Sequence, residues 1–215
     1  MFINQDIALD PFDRSAINGF RTVKYLDPVA PDVLAPVASL GRNFNTEHPV
    51  NDATYRNFLR MYAYDRTELR SKLESVTTMA YGRVEKVSFD AAYNNERVTA
   101  YVFLPSNTDP PFQTVIYYPT AIPFFTPSSQ QLETNYLSFV VRSGRAVVFP
   151  IYKGTYERMD RSIPYGAPPS IAARDLMVQV GKDLRRTIDH LQTRADIDQN
   201  TWPITVSARV RLGAR

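Results

Sequence analysis

The stretch over residues 113–151 most constrains what this chain can fold into. It opens with a β-branched and aromatic run that ends at Pro119, and it closes with a similar run over residues 146–151. Between the two runs, apolar residues recur at helical spacing: Leu132, Tyr136, Phe139 and Val140. Ser128 or Ser129 is the candidate N-cap, and Gly144 follows the helix end. Nearly continuous apolar strands are typical of parallel strands covered on both faces, so the pattern predicts a βαβ unit.

A β-hairpin is predicted over residues 83–105, directly ahead of this unit. Apolar residues alternate in both of its strands: Val84, Val87 and Phe89 in the first, and Val98, Ala100, Val102 and Leu104 in the second. Residues 90–96, which contain Asn94 and Asn95, supply the turn. A hairpin that leads into a βαβ unit predicts the α/β class, with a mixed sheet that has an antiparallel edge.

Two helices are predicted ahead of the hairpin. The first covers residues 52–62 and places four apolar residues on one face: Tyr55, Phe58, Leu59 and Tyr62. Asp65 is the candidate N-cap of the second helix, which carries Leu69 and Leu73. We expect both helices to pack against the sheet.

A long helix is predicted over residues 171–193, with Ser170 as its N-cap. Its buried face is marked by five apolar residues: Met177, Val180, Leu184, Ile188 and Leu191. His190 lies beside that face near the C-terminal end, where the helix dipole favours the imidazolium cation. Residues 195–198 form a turn, after which another buried strand is expected.

Composition and charge exclude several kinds of site. The chain has no cysteine, which excludes disulfides, thiolate zinc sites and cysteine nucleophiles. Two histidines are too few for a histidine-based metal site, so neither a metal nor a cofactor is predicted. The net charge is +3 with scattered Lys and Arg, which predicts no nucleic-acid partner. No apolar run is long enough to span a membrane and no export signal is visible, so a cytoplasmic location is expected.

Four segments carry a family resemblance: residues 87–98, 113–119, 148–158 and 182–198. Together they resemble the N-terminal half of α/β-hydrolases of the dienelactone hydrolase and acetyl-xylan-esterase type, over roughly residues 81–200. The resemblance implies a partial α/β-hydrolase sheet. It also implies a full-length protein that cleaves a small ester through a serine acyl-enzyme.

A second, shorter resemblance lies near the N-terminus. Residues 13–21 resemble the closing segment of the formylglycine-generating-enzyme-like (sulfatase-modifying-factor) module, which precedes such a hydrolase in some bacterial proteins. A strand is predicted after the Asn18-Gly19 turn. It is interpreted either as the remnant of that module or as a strand that pairs later in the chain. The resulting organisation is a remnant over residues 1–25, a proline-containing linker with helices over residues 26–80, and the half hydrolase over residues 81–215.

Residues 200–215 depart from the family pattern. The family has a strand that ends in Gly-x-Ser-x-Gly, a strained elbow that exposes the serine hydroxyl. Here Ser207 lacks both glycines, and Pro203 occupies a position that needs a ladder donor. Back-translation of residues 200–210, read two nucleotides later, permits Gly-Val-Ser-Ser-Gly. We therefore expect a shifted reading frame that truncates the sheet at the elbow strand; the alternative is a divergent tail.

The resemblance also implies which site residues remain. The family's Ser, Asp and His follow in that chain order, and all three fall at or beyond the break, so no catalytic residue is assigned and the chain is expected to be inactive. Thr120 and Ala121 are candidate oxyanion-hole donors. Tyr152, Lys153 and Tyr156 are candidates for the pocket rim. Lys153, Glu157 and Arg158 are interpreted as surface ion pairs.

The sequence leaves two other functions open. One is a non-catalytic interaction module or pseudoenzyme, in which the exposed sheet pairs with a partner or with another copy of the chain. The other is nucleic-acid binding through a basic tail that contains Arg209, Arg211 and Arg215.

Overall fold

The computed structural model describes residues 28–29, 46–118, 120–132, 134, 137–163 and 168–200, and the backbone of residues 204–206. The chain divides into two units, Met1–Pro49 and Val50–Arg215. Of the first unit, only residues 28–29 and 46–49 are described, and they lie outside helices and strands. The predicted terminal strand and the segment that resembles the formylglycine-generating module therefore lie outside the described residues.

The second unit is built on a six-stranded mixed sheet. Its strands are β1 (Lys72–Met79), β2 (Gly82–Asp90), β3 (Arg97–Pro105), β4 (Thr114–Tyr118), β5 (Ala146–Pro150) and β6 (Ile204–Val206). Their order across the sheet is β1-β2-β3-β5-β4-β6. The pairs β1–β2, β2–β3 and β3–β5 are antiparallel, whereas β4 pairs in parallel with both β5 and β6. This arrangement confirms the predicted α/β class with an antiparallel edge.

The described part of the chain contains three α-helices: α1 (Asp52–Met61), α2 (Ser138–Arg142) and α3 (Ile171–Gln192). None of them is long and apolar enough to cross a membrane. α2 packs on one face of the sheet, where Leu137 and Val141 join a core with Val147 and Phe149 of β5. α3 packs on the other face, where Leu191 joins a second core. Both faces of β5 are thus covered, as its apolar sequence predicts.

The predicted hairpin is confirmed, and its turn is compact. β2 and β3 pair without a register shift from Gly82 opposite Pro105 to Asp90 opposite Arg97. Asn94 and Asn95 adopt φ angles of 52° and 51°, a left-handed conformation that asparagine tolerates better than most residues. The turn therefore reverses the chain within residues 91–96.

The helix predicted after Asp65 is wrong, because residues 72–79 form strand β1 instead. Leu69 and Leu73 are spaced for a helix, but Val76, Thr77 and Thr78 are β-branched, and β2 offers a free edge to pair with. The antiparallel part of the sheet consequently has one strand more than the sequence predicts.

α1 forms as predicted, with Asn51 as its N-cap: the Thr54 amide donates to the Asn51 side chain over 2.9 Å. Its expected packing against the sheet is wrong. Tyr55, Phe58 and Leu59 are each about half exposed. The contact with the rest of the unit is made instead by Tyr62, whose ring lies so close to Gly181 of α3 that an added Cβ would come within 2.7 Å of it.

The segment between β4 and β5 is less helical than predicted. Ser128 caps only one 3₁₀ turn, Ser129–Gln131, and the α-helix starts at Ser138. Because the helix starts late, its buried positions are Leu137 and Val141, whereas Phe139 is 70% exposed. Tyr136 lies outside the described residues. Gly144 follows the helix end as predicted, with a φ angle of 85°.

α3 begins as predicted, with the Ala173 amide donating to the Ser170 hydroxyl over 3.1 Å. Its buried face is more polar than its apolar spacing suggests. Met177 is exposed, and four polar side chains are buried: Asp183, Arg186, Thr187 and His190. The residues that follow the helix approach β4, since Ile197 forms a parallel bridge with Phe112.

The expectation that His190 carries a cation at the helix end is wrong. The ring is 5% exposed and stacks on Phe89, with the two centroids 4.9 Å apart. Burial, assisted by nearby Arg194, lowers the pKa of His190 to about 4. The cost of desolvating the charge therefore exceeds the attraction of the helix dipole, and the ring is neutral at pH 7.

Candidate functional site

The carboxyl ends of β4, β5 and β6 lie at one edge of the sheet, because these strands are parallel. In α/β sheets this edge is where ligands bind. The loops that follow β4 and β5 bring every predicted site residue to this edge: Thr120, Ala121, Tyr152, Lys153 and Tyr156. We call it the carboxyl edge.

The loop after β4 is held by short-range hydrogen bonds. Ala121 precedes a one-turn 3₁₀ helix, Ile122–Phe124, and has a φ angle of −75°. The Ile122 amide donates to the Thr120 hydroxyl over 3.3 Å, and the Thr126 hydroxyl donates to the Ile122 carbonyl over 3.1 Å. Thr120 stands where the family usually has glycine, and the following residue is nonetheless in an ordinary conformation. The oxyanion role of Thr120 or Ala121 stays a prediction.

Tyr152 lies beneath the carboxyl edge rather than on its surface. It is almost fully buried, and its hydroxyl donates to the Tyr117 carbonyl of β4 over 3.4 Å. Its ring centroid is 5.2 Å from that of Tyr118. Burial, followed by the effects of Tyr118 and Asp183, raises the pKa of Tyr152 well above its ordinary value. The phenol is therefore neutral, and its contact with β4 anchors the start of the loop after β5.

Asp183 of α3 binds both ends of that loop. Its side chain is fully buried, and one carboxylate oxygen, Oδ2, accepts from the Lys153 amide over 2.8 Å and from the Arg158 guanidinium over 2.5 Å. The other oxygen accepts from the Tyr93 hydroxyl over 2.8 Å. Burial raises the pKa of Asp183, while these donors oppose that effect. All three contacts need an acceptor, so the bound form is the carboxylate.

Glu96 extends this arrangement towards the solvent. Its carboxylate accepts from the Lys153 ammonium over 2.8 and 2.9 Å, and from Arg158 over 3.2 Å. The side chain of Arg158 is only 11% exposed, and that of Lys153 is 21% exposed. The interpretation of Lys153 and Arg158 as surface ion pairs is therefore wrong. Burial alone would lower the pKa of Arg158, but the charge of Asp183 raises it, so the guanidinium stays charged.

Glu157 links the two loops of the carboxyl edge. Its interpretation as part of a surface ion pair is also wrong, because its partner is Ser129. Its carboxylate accepts from the Ser129 amide over 2.7 Å and from the Ser129 hydroxyl over 2.8 Å. That hydroxyl also lies 2.8 Å from the Tyr101 hydroxyl. Burial opposes ionisation of Glu157, but the hydrogen bonds from Ser129 outweigh it and lower the pKa.

Tyr156 belongs to the buried core and is 1% exposed. Its ring packs 6.2 Å from that of Phe149, and its φ angle is 47°, which is uncommon for an aromatic residue. Gly154 has a φ angle of 86°, and an added Cβ there would come within 3.2 Å of Leu176 of α3. The loop is thus packed against α3 on one side and joined to the β4 loop on the other.

Among the described residues, neither histidine of the chain forms a catalytic trio with a serine and a carboxylate. His48 belongs to the first unit and is exposed. His190 lies seven residues beyond Asp183, about 10 Å further along α3, and its Nδ1 is 3.0 Å from the Ser71 hydroxyl. In the described part of the chain, no hydrogen bond is found between a carboxylate and His190 Nε2, and no cluster of three or more metal-ligating side chains occurs.

Ser207 and Pro203 lie outside the described residues, as do Arg209, Arg211 and Arg215. β6, which directly precedes Ser207 in the sequence, pairs Val206 with Tyr118 at the end of β4. A strand therefore follows the turn at residues 195–198, as predicted, and lies next to β4.

Comparison with known proteins gives structural similarity only. No protein-family model matches the chain, and no curated protein matches it. A Bacteroides fragilis protein assigned as an acetyl xylan esterase is 12% identical with a TM-score of 0.54, over 71% of this chain and 45% of that chain. Acetyl xylan esterase 1 from Thermoanaerobacterium is 13% identical with a TM-score of 0.52, over 74% of this chain and 51% of that chain.

The acetyl xylan esterase from Paenibacillus is 17% identical with a TM-score of 0.49, over 72% of this chain and 50% of that chain. The chain thus spans about half the length of the solved structures that it matches. At these identities the similarity concerns the fold alone. The strand order and the matches above 0.5 agree on that fold: the described part of the chain is a partial α/β-hydrolase sheet with its helices.

Proposed function

We propose that this chain forms the N-terminal part of a serine carboxylic ester hydrolase and contributes the oxyanion loop and the pocket rim to its site. The observation that carries the proposal is the meeting of the β4 and β5 loops at the carboxyl edge of three parallel strands. The fold similarity to acetyl xylan esterases supports the same class of reaction. A small ester is the proposed substrate class.

Acyl transfer needs a serine nucleophile, a histidine base oriented by a carboxylate, and donors for the oxyanion. The backbone amides of Thr120 and Ala121 are the proposed donors. Among the described residues of the second unit, His190 is not placed as a base: it is buried against Ser71 and Phe89, about 10 Å from Asp183 along α3. We therefore propose that the chain does not hydrolyse esters by itself.

Hydrolysis of p-nitrophenyl acetate by the purified chain tests this proposal. We expect no release of p-nitrophenol above the rate with an equal mass of serum albumin. Ser207→Ala and His190→Asn are the matched variants, and both should give the same background. Turnover by the wild-type chain that Ser207→Ala abolishes would show that the chain is a complete enzyme.

The proposed change of reading frame needs a separate test. The nucleotide sequence around Asn200 should contain, in a shifted frame, a Gly-x-Ser-x-Gly elbow followed by codons for an Asp and a His in the family order. A gene with no such frame would refute this part of the proposal and leave the fold assignment unchanged.

Self-association is the second candidate function, and the outer strand β1 favours it. Leu73 and Val76 are each more than half exposed there, and within the described residues β1 pairs only with β2. Sedimentation velocity should then show a dimer that Val76→Lys dissociates. A monomer at all concentrations would exclude this role.

A further inference from the structure

We propose that Asp183 is a positioning residue that holds the loop after β5 in its conformation. Contacts from α3, rather than the loop's own residues, then determine the shape of the rim of the candidate ester site. This inference rests on the proposed function, because only that function makes the loop the rim of an ester site. Its structural basis is independent of any turnover.

A single oxygen of Asp183 contacts both ends of the loop after β5. Asp183 Oδ2 accepts from the Lys153 amide at the start of the loop and from Arg158 five residues later. The Gly154 amide also donates to the Arg158 carbonyl over 2.9 Å, so the loop closes on itself next to the carboxylate. One buried atom of α3 therefore fixes both ends of the segment that contains Tyr156.

The conformation of this loop is not favoured by its own residues. Tyr156 has a φ angle of 47°, a region that costs free energy for a residue with a Cβ and persists only where the surroundings enforce it. Arg158 and Glu157 follow directly in the sequence and are bound to Asp183 and Ser129 respectively. Release of the Asp183 contacts should therefore let the loop leave this conformation.

The three contacts of Asp183 all require the carboxylate as an acceptor. Tyr93, Arg158 and the Lys153 amide all donate to the carboxylate, and an amide in its place would offer one acceptor oxygen instead of two and no negative charge for Arg158. The side chain is fully buried, which leaves no water to take over a lost contact. Asp183→Asn is therefore a perturbation of the loop contacts at nearly constant volume.

Hydrogen exchange measured by mass spectrometry on the purified chain tests this role. Asp183→Asn should speed amide exchange in residues 152–158 by about tenfold or more, which matches the loss of one hydrogen bond to a charged group. Exchange in β3 and β5 should rise much less. The matched control is Asp189→Asn, because Asp189 lies on the same helix, is 10% exposed, and binds Tyr64 and Arg186 instead of the loop.

Three outcomes would overturn the inference: unchanged exchange in residues 152–158, an equal rise in all segments, or the same loop effect in Asp189→Asn. If Asp183→Asn does not fold, Tyr93→Phe removes the hydroxyl that donates to Asp183 and accepts from Arg158, and it leaves the charge pair of Asp183 and Arg158 intact. It should give a smaller rise that is again confined to the loop, and a rise spread over all segments would count against positioning. Turnover by the chain would refute the proposed inactivity of the chain without changing these exchange results.

Discussion

Burial of His190 makes the stability of this protein depend on pH in a defined window. The unfolded chain binds a proton at this imidazole near pH 6.5, whereas the folded chain does so only near pH 4. The stability that the neutral, buried imidazole contributes is thus fully present above pH 6.5, and it is lost as the pH falls from the unfolded-state pKa towards the folded-state pKa. The gap between the two pKa values corresponds to roughly 3 kcal/mol, of which about 2 kcal/mol should be lost between pH 7.5 and pH 5.

The assay is urea unfolding followed by circular dichroism at pH 7.5, 6.5, 5.5 and 5.0. His190→Asn should be less stable at pH 7.5, because it removes a ring that stacks on Phe89. Its stability should nevertheless fall less steeply towards pH 5, by about 2 kcal/mol over the range. His48→Asn is the control and should follow the wild-type curve, because His48 is exposed. Parallel curves for wild type and His190→Asn would refute the reasoning.

Two further predictions concern the sheet. Leu104→Ala should lower the free energy of unfolding by about 2–5 kcal/mol, because Leu104 is fully buried, whereas Leu73→Ala on β1 should cost about 0.5 kcal/mol or less; equal losses in urea unfolding would refute the assigned core. Gly82→Ala should cost about 1–3 kcal/mol, because its Cβ would lie 2.0 Å from the Leu104 carbonyl oxygen. An unchanged midpoint of thermal unfolding would contradict that close approach.

The sheet was predictable because its strands carry periodic signals of their own. The alternation in β2 and β3 and the apolar runs of β4 and β5 need no knowledge of distant partners. β1 was missed because the helical spacing of Leu69 and Leu73 competes with the β-branched residues after them, and the pairing with β2 decides between helix and strand. The position of α2 was missed for a related reason, since Leu137 rather than Phe139 packs against β5, and spacing alone fits either choice.

The site was predictable in location but not in its supporting residues. The resemblance led to both loops of the carboxyl edge, yet Asp183, Tyr93 and Glu96 were absent from the sequence prediction. One signal was available: Asp183 stands within the apolar face that Val180 and Leu184 mark, and a carboxylate in a buried stripe needs a partner. Which partner it has cannot be deduced from spacing, because Arg158 and Tyr93 come from two other parts of the chain.

Chain direction explains why the hairpin turn supplies two of these residues. β3 runs antiparallel to β5, with Ala100 opposite Pro150, so the beginning of β3 and the turn before it lie at the carboxyl end of β5. The compact turn then brings Tyr93 within reach of Asp183, and Glu96 within reach of Lys153 and Arg158. If β3 instead ran parallel to β5, the beginning of β3 and the hairpin turn before it would lie at the amino end of β5, opposite the carboxyl edge. The antiparallel edge of this sheet therefore takes part in the candidate site, because it carries the acceptors and donors that fix the loop after β5.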